Sequence, residues 1–285
     1  MKKRIITGIV MAVIMIPLGF FTDTWALPVF FALMSAVSAY ELMLCTKLHR
    51  NLWFAVPTYI LSFLSPIAAR YLGSTFFSAY APAIIALFLL WNAAVYMFRT
   101  AHQDGKETGY ESPLSSVCIS SFFVLYSTAG YSFLILLNDV PKGGLFLILS
   151  VFIMSYVTDM GAYFTGMLFG KHKLIPRISP KKTVEGAVGG VVITAAAMAV
   201  YGWIINSIGP DDANILSLVV LGIVGSAVSM VGDLVMSALK RSCGVKDFGW
   251  ILPGHGGILD RFDSVLAVSI ITYAFTRFVY VFGEL

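Results

Sequence analysis

The sequence predicts an all-α integral membrane protein of about nine transmembrane helices, its N-terminus cytoplasmic and its C-terminus outside. Three observations predict this. Of 285 residues, 58% are hydrophobic and 12% charged, with a mean hydropathy of +0.86, whereas a soluble domain is roughly 45–50% apolar and about 25% charged. The apolar residues form continuous runs of the ~20 residues that a helix needs to cross a ~30 Å hydrocarbon core. The basic residues, finally, concentrate in alternate loops. This pattern excludes a two-domain soluble enzyme and a disordered chain. It also excludes an outer-membrane barrel, whose short segments alternate in hydrophobicity.

Taken in order, the runs predict spans at 5–21, 25–45, 53–72, 77–97, 115–138, 144–168, 184–206, 214–239 and 258–282. The first follows Met1-Lys2-Lys3-Arg4. It reads as a span rather than a cleaved leader, because no clear small-residue cleavage site follows it. Sorted by these loops, 16 of the 19 Lys and Arg lie on the N-terminal side, and Arg70, Lys142 and Arg277 lie opposite. The positive-inside rule then sets the orientation. A formal charge of +4, scattered in this way, gives no argument for nucleic acid. Cys45, Cys118 and Cys243 lack any CxxC spacing, so they read as small apolar residues, with neither a disulfide framework nor a thiolate metal site expected. No linker or repeat divides residues 1–285, which read as one polytopic membrane domain. Within it, residues 1–140 supply spans without an assigned role, and 150–265 carry the intramembrane acids and two long basic loops.

A carboxylate near the bilayer centre costs about 2.5–3.5 kcal/mol on insertion scales, so each such acid marks a candidate site. Asp159, Asp233, Asp260 and Asp263 stand out. Asp233, Ser237 and Lys240 share one helix face, with Asp233 ~10 Å inside the cytoplasmic end. Asp260 and Asp263 are one turn apart, and like charges at that spacing need compensating cations or donors. Lysine partners, a hard divalent cation or a transported ion would each satisfy these acids. Glu41, near the cytoplasmic end of the second span, could contact a base of the head-group site but reads rather as a snorkelling or Lys47-paired acid.

The loops narrow the choice. In Gly170–Thr183 (GKHKLIPRISPKKT), Pro176 and Pro180 hold the chain out of helix. Ser179, Lys181, Lys182 and Thr183, followed by a helix start at Val184, suit phosphate. In Lys240–Asp263 the basic groups Lys240, Arg241, Lys246, His255 and Arg261 alternate with glycines that admit a ligand to backbone N–H groups. Basic groups for a polyphosphate and acids for its metal are the parts of phosphoryl or nucleotidyl transfer.

These residues resemble the phosphatidate cytidylyltransferase family, the CDP-diacylglycerol synthases. The resemblance is carried by Ser237, Lys240-Arg241, Lys246-Asp247, Pro253, His255-Gly256-Gly257, Asp260-Arg261 and Asp263. A second block, Thr158–Gly186, is similar to the family's Asp-x-x-Ala-Tyr-x-x-Gly stretch and Ser-Pro-x-Lys-Thr turn. Met167 departs from it, standing where the pattern has Arg or Lys, which leaves that phosphate role to Lys171 or Lys173. The resemblance covers roughly 150–265; before that the chain matches only as a set of apolar spans.

The resemblance implies that CTP and phosphatidic acid give CDP-diacylglycerol and pyrophosphate, with Mg²⁺, at the cytoplasmic face of the cell's inner membrane. Whether a monovalent cation joins Mg²⁺ is left open. A homodimer is implied by the resemblance alone. The expected catalytic residues are Asp233, Lys240, Arg241, Asp260 and Asp263. The expected metal ligands are Asp233, Asp260 and Asp263, with Asp159 as a further ligand or supporting group. Ser179, Lys181, Lys182, Thr183, Lys246, His255 and Arg261 are expected to bind substrate phosphates. A CTP-dependent lipid kinase and a transporter are the rival readings. The second lacks paired broken spans in matching halves.

Overall fold

The computed structural model describes residues 22–101, 114–208, 212–252 and 256–282. The expected span 5–21 and the site candidate His255 lie outside them. Seven helical stretches among the described residues are long and apolar enough to cross a membrane. The chain forms two compact units, Met1–Ile135 with Val245–Asp260, and Leu136–Gly244 with Arg261–Leu285.

In the first unit, α1 (Ala26–Cys45) ends in a short 3₁₀ turn at Leu48–Arg50, reached through Lys47 at φ 62°. Helix α2 runs from Leu52 to Ala101 with a break at Gly73, whose φ of 74° is accessible to glycine at little cost. The break yields two spans, Leu52–Thr75 and Ala79–Phe98, close to the expected 53–72 and 77–97. Most of α3 (Leu114–Asn138) completes the unit. Its buried core includes Phe31, Leu42, Met43, Phe54, Val117 and Tyr131. Lipid offers helices no hydrophobic drive to associate, so packing and interhelical hydrogen bonds hold them. Ser38 and Tyr131 pair at 2.8 Å, Ser62 and Thr128 at 3.0 Å, and Asn92 donates to Ser121 at 3.1 Å.

In the second unit, α4 (Gly144–Phe169) is followed by an antiparallel hairpin of β1 (Lys173–Ile175) and β2 (Ser179–Thr183). Helices α5 (Val184–Ile208) and α6 (Ile215–Ser242) come next. The hairpin is a small addition to an otherwise all-helical chain, in the segment already expected to stay out of helix. Two prolines keep its sequence from helix, and the flanking backbone groups pair with each other instead. Asn214 caps α6 by accepting from Ser217 N at 3.1 Å. Helix α7, Leu259–Thr276, begins in the first unit and continues in the second; it opens with Asp260, Arg261 and Asp263 and is not among the seven apolar stretches. Cys45 and Cys243 are each disulfide-bonded, which corrects the expectation of no disulfide, and Cys118 is free, in keeping with its reading.

Candidate functional site

Small residues bring the hairpin against the acidic helices. Gly186 and Gly190 of α5 lie so close to α4 that an added Cβ would stand 2.6 Å from Ala162 O and 3.1 Å from Thr158 O. Thr158 and Thr194 join the same two helices at 2.9 Å. Thr183 caps α5 by accepting from Gly186 N at 3.1 Å, and its Oγ1 would lie 2.8 Å from a Cβ at Gly166 or Gly170. Glu185, in the first turn of α5, accepts from Lys171 N at 3.0 Å and contacts His172 Nδ1 at 2.6 Å. The hairpin is thereby tied at its base to the helix that follows it.

A cavity of about 320 Å³ opens between these elements. Asp159 and Tyr163 line it from α4, Ser179, Lys181, Lys182 and Thr183 from β2, and Met230 from α6. Lys182 Nζ ion-pairs with Asp233 Oδ2. An ammonium carries three N–H groups, so the pair with Asp233 leaves others for an anion in the cavity. Ser237 Oγ reaches Asp233 Oδ1 at 3.5 Å, in agreement with the shared helix face read from their spacing. Lys240 Nζ lies 3.9 Å from Asp263 Oδ2, and both residues are buried. Asp263 also accepts from Ser264 N at 2.8 Å. Asp159, Asp233 and Asp263 interact electrostatically with one another, so the three form one acidic neighbourhood beside two lysines.

The glycine-rich loop of the first unit is organised by two other carboxylates. Asp260 Oδ2 accepts from Phe248 N at 2.8 Å and Gly257 N at 2.9 Å. Glu41, fully buried in α1, accepts from Ile258 N at 3.0 Å and Leu259 N at 2.9 Å. This corrects the snorkelling or Lys47-paired reading of Glu41, whose true partners lie 217 and 218 residues away along the chain.

The second unit thus gathers Asp159, Ser179, Lys181, Lys182, Thr183, Asp233, Lys240 and Asp263, all expected from sequence. Arg241 and Lys246 are exposed, Arg261 is half-buried, and Asp260 is occupied with its own loop. Sequence reasoning missed Tyr163 and Met230 as cavity walls. Tyr163 stands four residues after Asp159 and so shares its helix face, a signal that was available. Met230 carried none. Among the described residues no group of three or more His, Cys, Asp or Glu gathers tightly enough to hold a metal by itself.

Residues 2–279 match the sequence pattern of the cytidylyltransferase family. The chain belongs to that family. Within the family it is 35% identical over 277 residues to the phosphatidate cytidylyltransferase of Bacillus subtilis, covering 96% of each protein. It is 44% identical to the Haemophilus influenzae phosphatidate cytidylyltransferase over 127 residues, 45% of this chain and 44% of that one. With the Staphylococcus haemolyticus phosphatidate cytidylyltransferase the identity is 48% over 125 residues, 44% of this chain and 46% of the other. These last two alignments span less than half of each relative. Family membership makes the chain a nucleotidyltransferase, and the seven apolar helical stretches among its described residues make it a multi-pass membrane protein.

Proposed function

We propose that this chain transfers the cytidylyl group of CTP to phosphatidic acid, releasing pyrophosphate and leaving CDP-diacylglycerol in the bilayer. The observation that carries this reading is the cavity lined by Ser179, Lys181, Lys182 and Asp159, with Asp233 paired to Lys182. Phosphate oxygens need the first set, and a phosphate-bound metal needs the second.

In the reaction, a phosphate oxygen of the lipid attacks the α-phosphorus of CTP. The bond from that phosphorus to the bridging oxygen breaks, and pyrophosphate leaves with the electron pair. A phosphomonoester is already nucleophilic near neutral pH, so positioning and charge neutralisation matter more than a strong base. Lys181 and Lys182 are assigned to phosphate neutralisation, Ser179 to a neutral hydrogen bond, and Lys240, Arg241, Lys246 and Arg261 to the remaining charge at the same membrane face. His255 keeps its expected role as a phosphate donor.

The donor set fits Mg²⁺. Asp233 and Asp263 offer hard oxygen ligands whose charge lysines now balance, and Mg²⁺ is usually held by one or two carboxylates plus substrate phosphates. Asp233 and Asp263 would hold it, with Asp159 as a third acid in reach; when bound it neutralises triphosphate charge. Asp260, expected among the ligands, is assigned to the loop, because its Oδ2 already accepts two backbone N–H groups.

The 16-to-3 distribution of basic residues supports nine spans, a cytoplasmic N-terminus and an inner-membrane enzyme working from the cytoplasm. A homodimer completes the reading, and its test is the mass of the purified protein in detergent. The reaction is tested with purified protein, phosphatidic acid, Mg²⁺ and CTP labelled at the α-phosphate. Label should enter the extracted lipid, and chelation by EDTA should abolish it until Mg²⁺ is restored. Transfer of γ-label in its place would make the enzyme a lipid kinase.

A further inference from the structure

Helix α7 starts without a cap of its own. The first N–H groups of any helix lack partners inside it, and the usual remedy is a Ser, Thr, Asp or Asn just before the first turn. Here Gly256, Gly257 and Ile258 precede Leu259, and none has a side-chain acceptor. The acceptors come from elsewhere. Asp260 takes Gly257 N, and Glu41, from α1, takes Ile258 N on Oε1 and Leu259 N on Oε2. Three consecutive N–H groups are thus held by two carboxylates.

The surrounding backbone is shaped to the Glu41 side chain. A Cβ at Gly257 would lie 2.6 Å from Glu41 Cδ, and one at Gly249 2.8 Å from the same atom. Both glycines therefore leave room that only this carboxylate fills, and Glu41 itself has no exposed surface. An acid in a span is costly. If filling space were the only need, an apolar residue would fill it without that cost.

We propose that Glu41 is a positioning residue for the transfer reaction: by accepting the Ile258 and Leu259 N–H groups it fixes the start of the helix that carries Asp263. The kinetic part rests on the function proposed above; the structural part does not. Glu41 touches no substrate in this account. It acts through the loop, and Asp263 follows one helical turn after the fixed residues.

The test is Glu41→Gln, which preserves size but sets an amide donor against one of the two N–H groups. Amide hydrogen exchange at Ile258 and Leu259 should quicken by at least about tenfold, as expected when a charge-assisted hydrogen bond is lost. Exchange in α1 and α3 should not change. At saturating substrate kcat should fall at least about tenfold while KM for CTP stays within about threefold. Glu41→Asp, which keeps both acceptors on a shorter arm, should recover part of kcat. Should the glutamine variant fail to fold, Gly257→Ala, which pushes on the same carboxylate, carries the same two readouts. Unchanged exchange at Ile258 and Leu259, or a kcat within about twofold of wild type, would overturn the proposal. If the wild-type protein itself places no α-label in lipid, the proposed function fails, and the exchange result still decides whether Glu41 holds this loop.

Discussion

Lys182 of β2 and Asp233 of α6 form an ion pair across the second unit, with side chains 23% and 24% exposed. The pair joins the cavity wall to the acidic group, so its members should differ in what they contribute. Lys182→Met should raise KM for CTP by at least about tenfold, because it removes a phosphate donor. Asp233→Asn should lower kcat by about 100-fold or more with Mg²⁺ saturating. The double variant should show both losses together, since one falls on KM and the other on kcat. Steady-state kinetics on all three variants checks this, and a double variant no worse than Asp233→Asn alone would show that the two act as a unit.

Much of this site was legible because its chemistry is written in residue types. Asp233, Ser237 and Lys240 fall on one face by spacing alone, and the structure brings Ser237 to Asp233 as that spacing requires. Lys181 and Lys182 announced themselves as bases beside prolines. Gly73 was harder to read: the expected boundary at 72 lies next to it, but the apolar run alone did not indicate that one helix continues past the break. The partners of Glu41 could not be read at all. They are backbone N–H groups more than two hundred residues away, and backbone groups carry no sequence signature. Asp260 shows the same limit, for its type and spacing suited a metal while its Oδ2 serves Phe248 N and Gly257 N.

Lys240 and Asp263 stand 3.9 Å apart, both buried, a separation too long for a hydrogen bond but close enough for charge to matter. Removing either charge leaves the other in a low-dielectric setting. Asp263→Asn and Lys240→Met should each lower turnover by about 100-fold. Asp263→Asn should in addition raise the Mg²⁺ concentration for half-maximal rate. A Mg²⁺ titration of the purified variants checks the assignment. Near wild-type turnover of Asp263→Asn with Mg²⁺ at saturation would remove Asp263 from the metal site.

Thr183 was expected to bind phosphate, and in the structure its hydroxyl oxygen caps α5. Loss of a cap costs typically ~1 kcal/mol. Thr183→Val should lower the midpoint of thermal unfolding in detergent, and Thr183→Ser should restore it. If Thr183→Ser also restores transfer, the hydroxyl and not the methyl carries the function. A Thr183→Val protein with wild-type thermal stability would show that the cap contributes nothing.

Glycines in this chain serve two different ends, and alanine distinguishes them. At Gly73 an added Cβ meets nothing within 4 Å, but φ is 74° and ψ 175°, a conformation that costs a non-glycine residue on the order of 1–3 kcal/mol. At Gly186 the conformation is helical, but the Cβ would stand 2.6 Å from Ala162 O and 3.1 Å from Gly166 Cα, so α4 and α5 must move apart. Small residues are what allow such close approach between membrane helices. Gly73→Ala should therefore lower thermal stability modestly and leave transfer to phosphatidic acid unchanged. Gly186→Ala should lower both, because Lys182, four residues before Gly186, shifts with α5 relative to Asp159 on α4. Thermal unfolding and α-label transfer measured side by side decide it, and a fully active Gly186→Ala enzyme would mean that the cavity tolerates separation of the two helices.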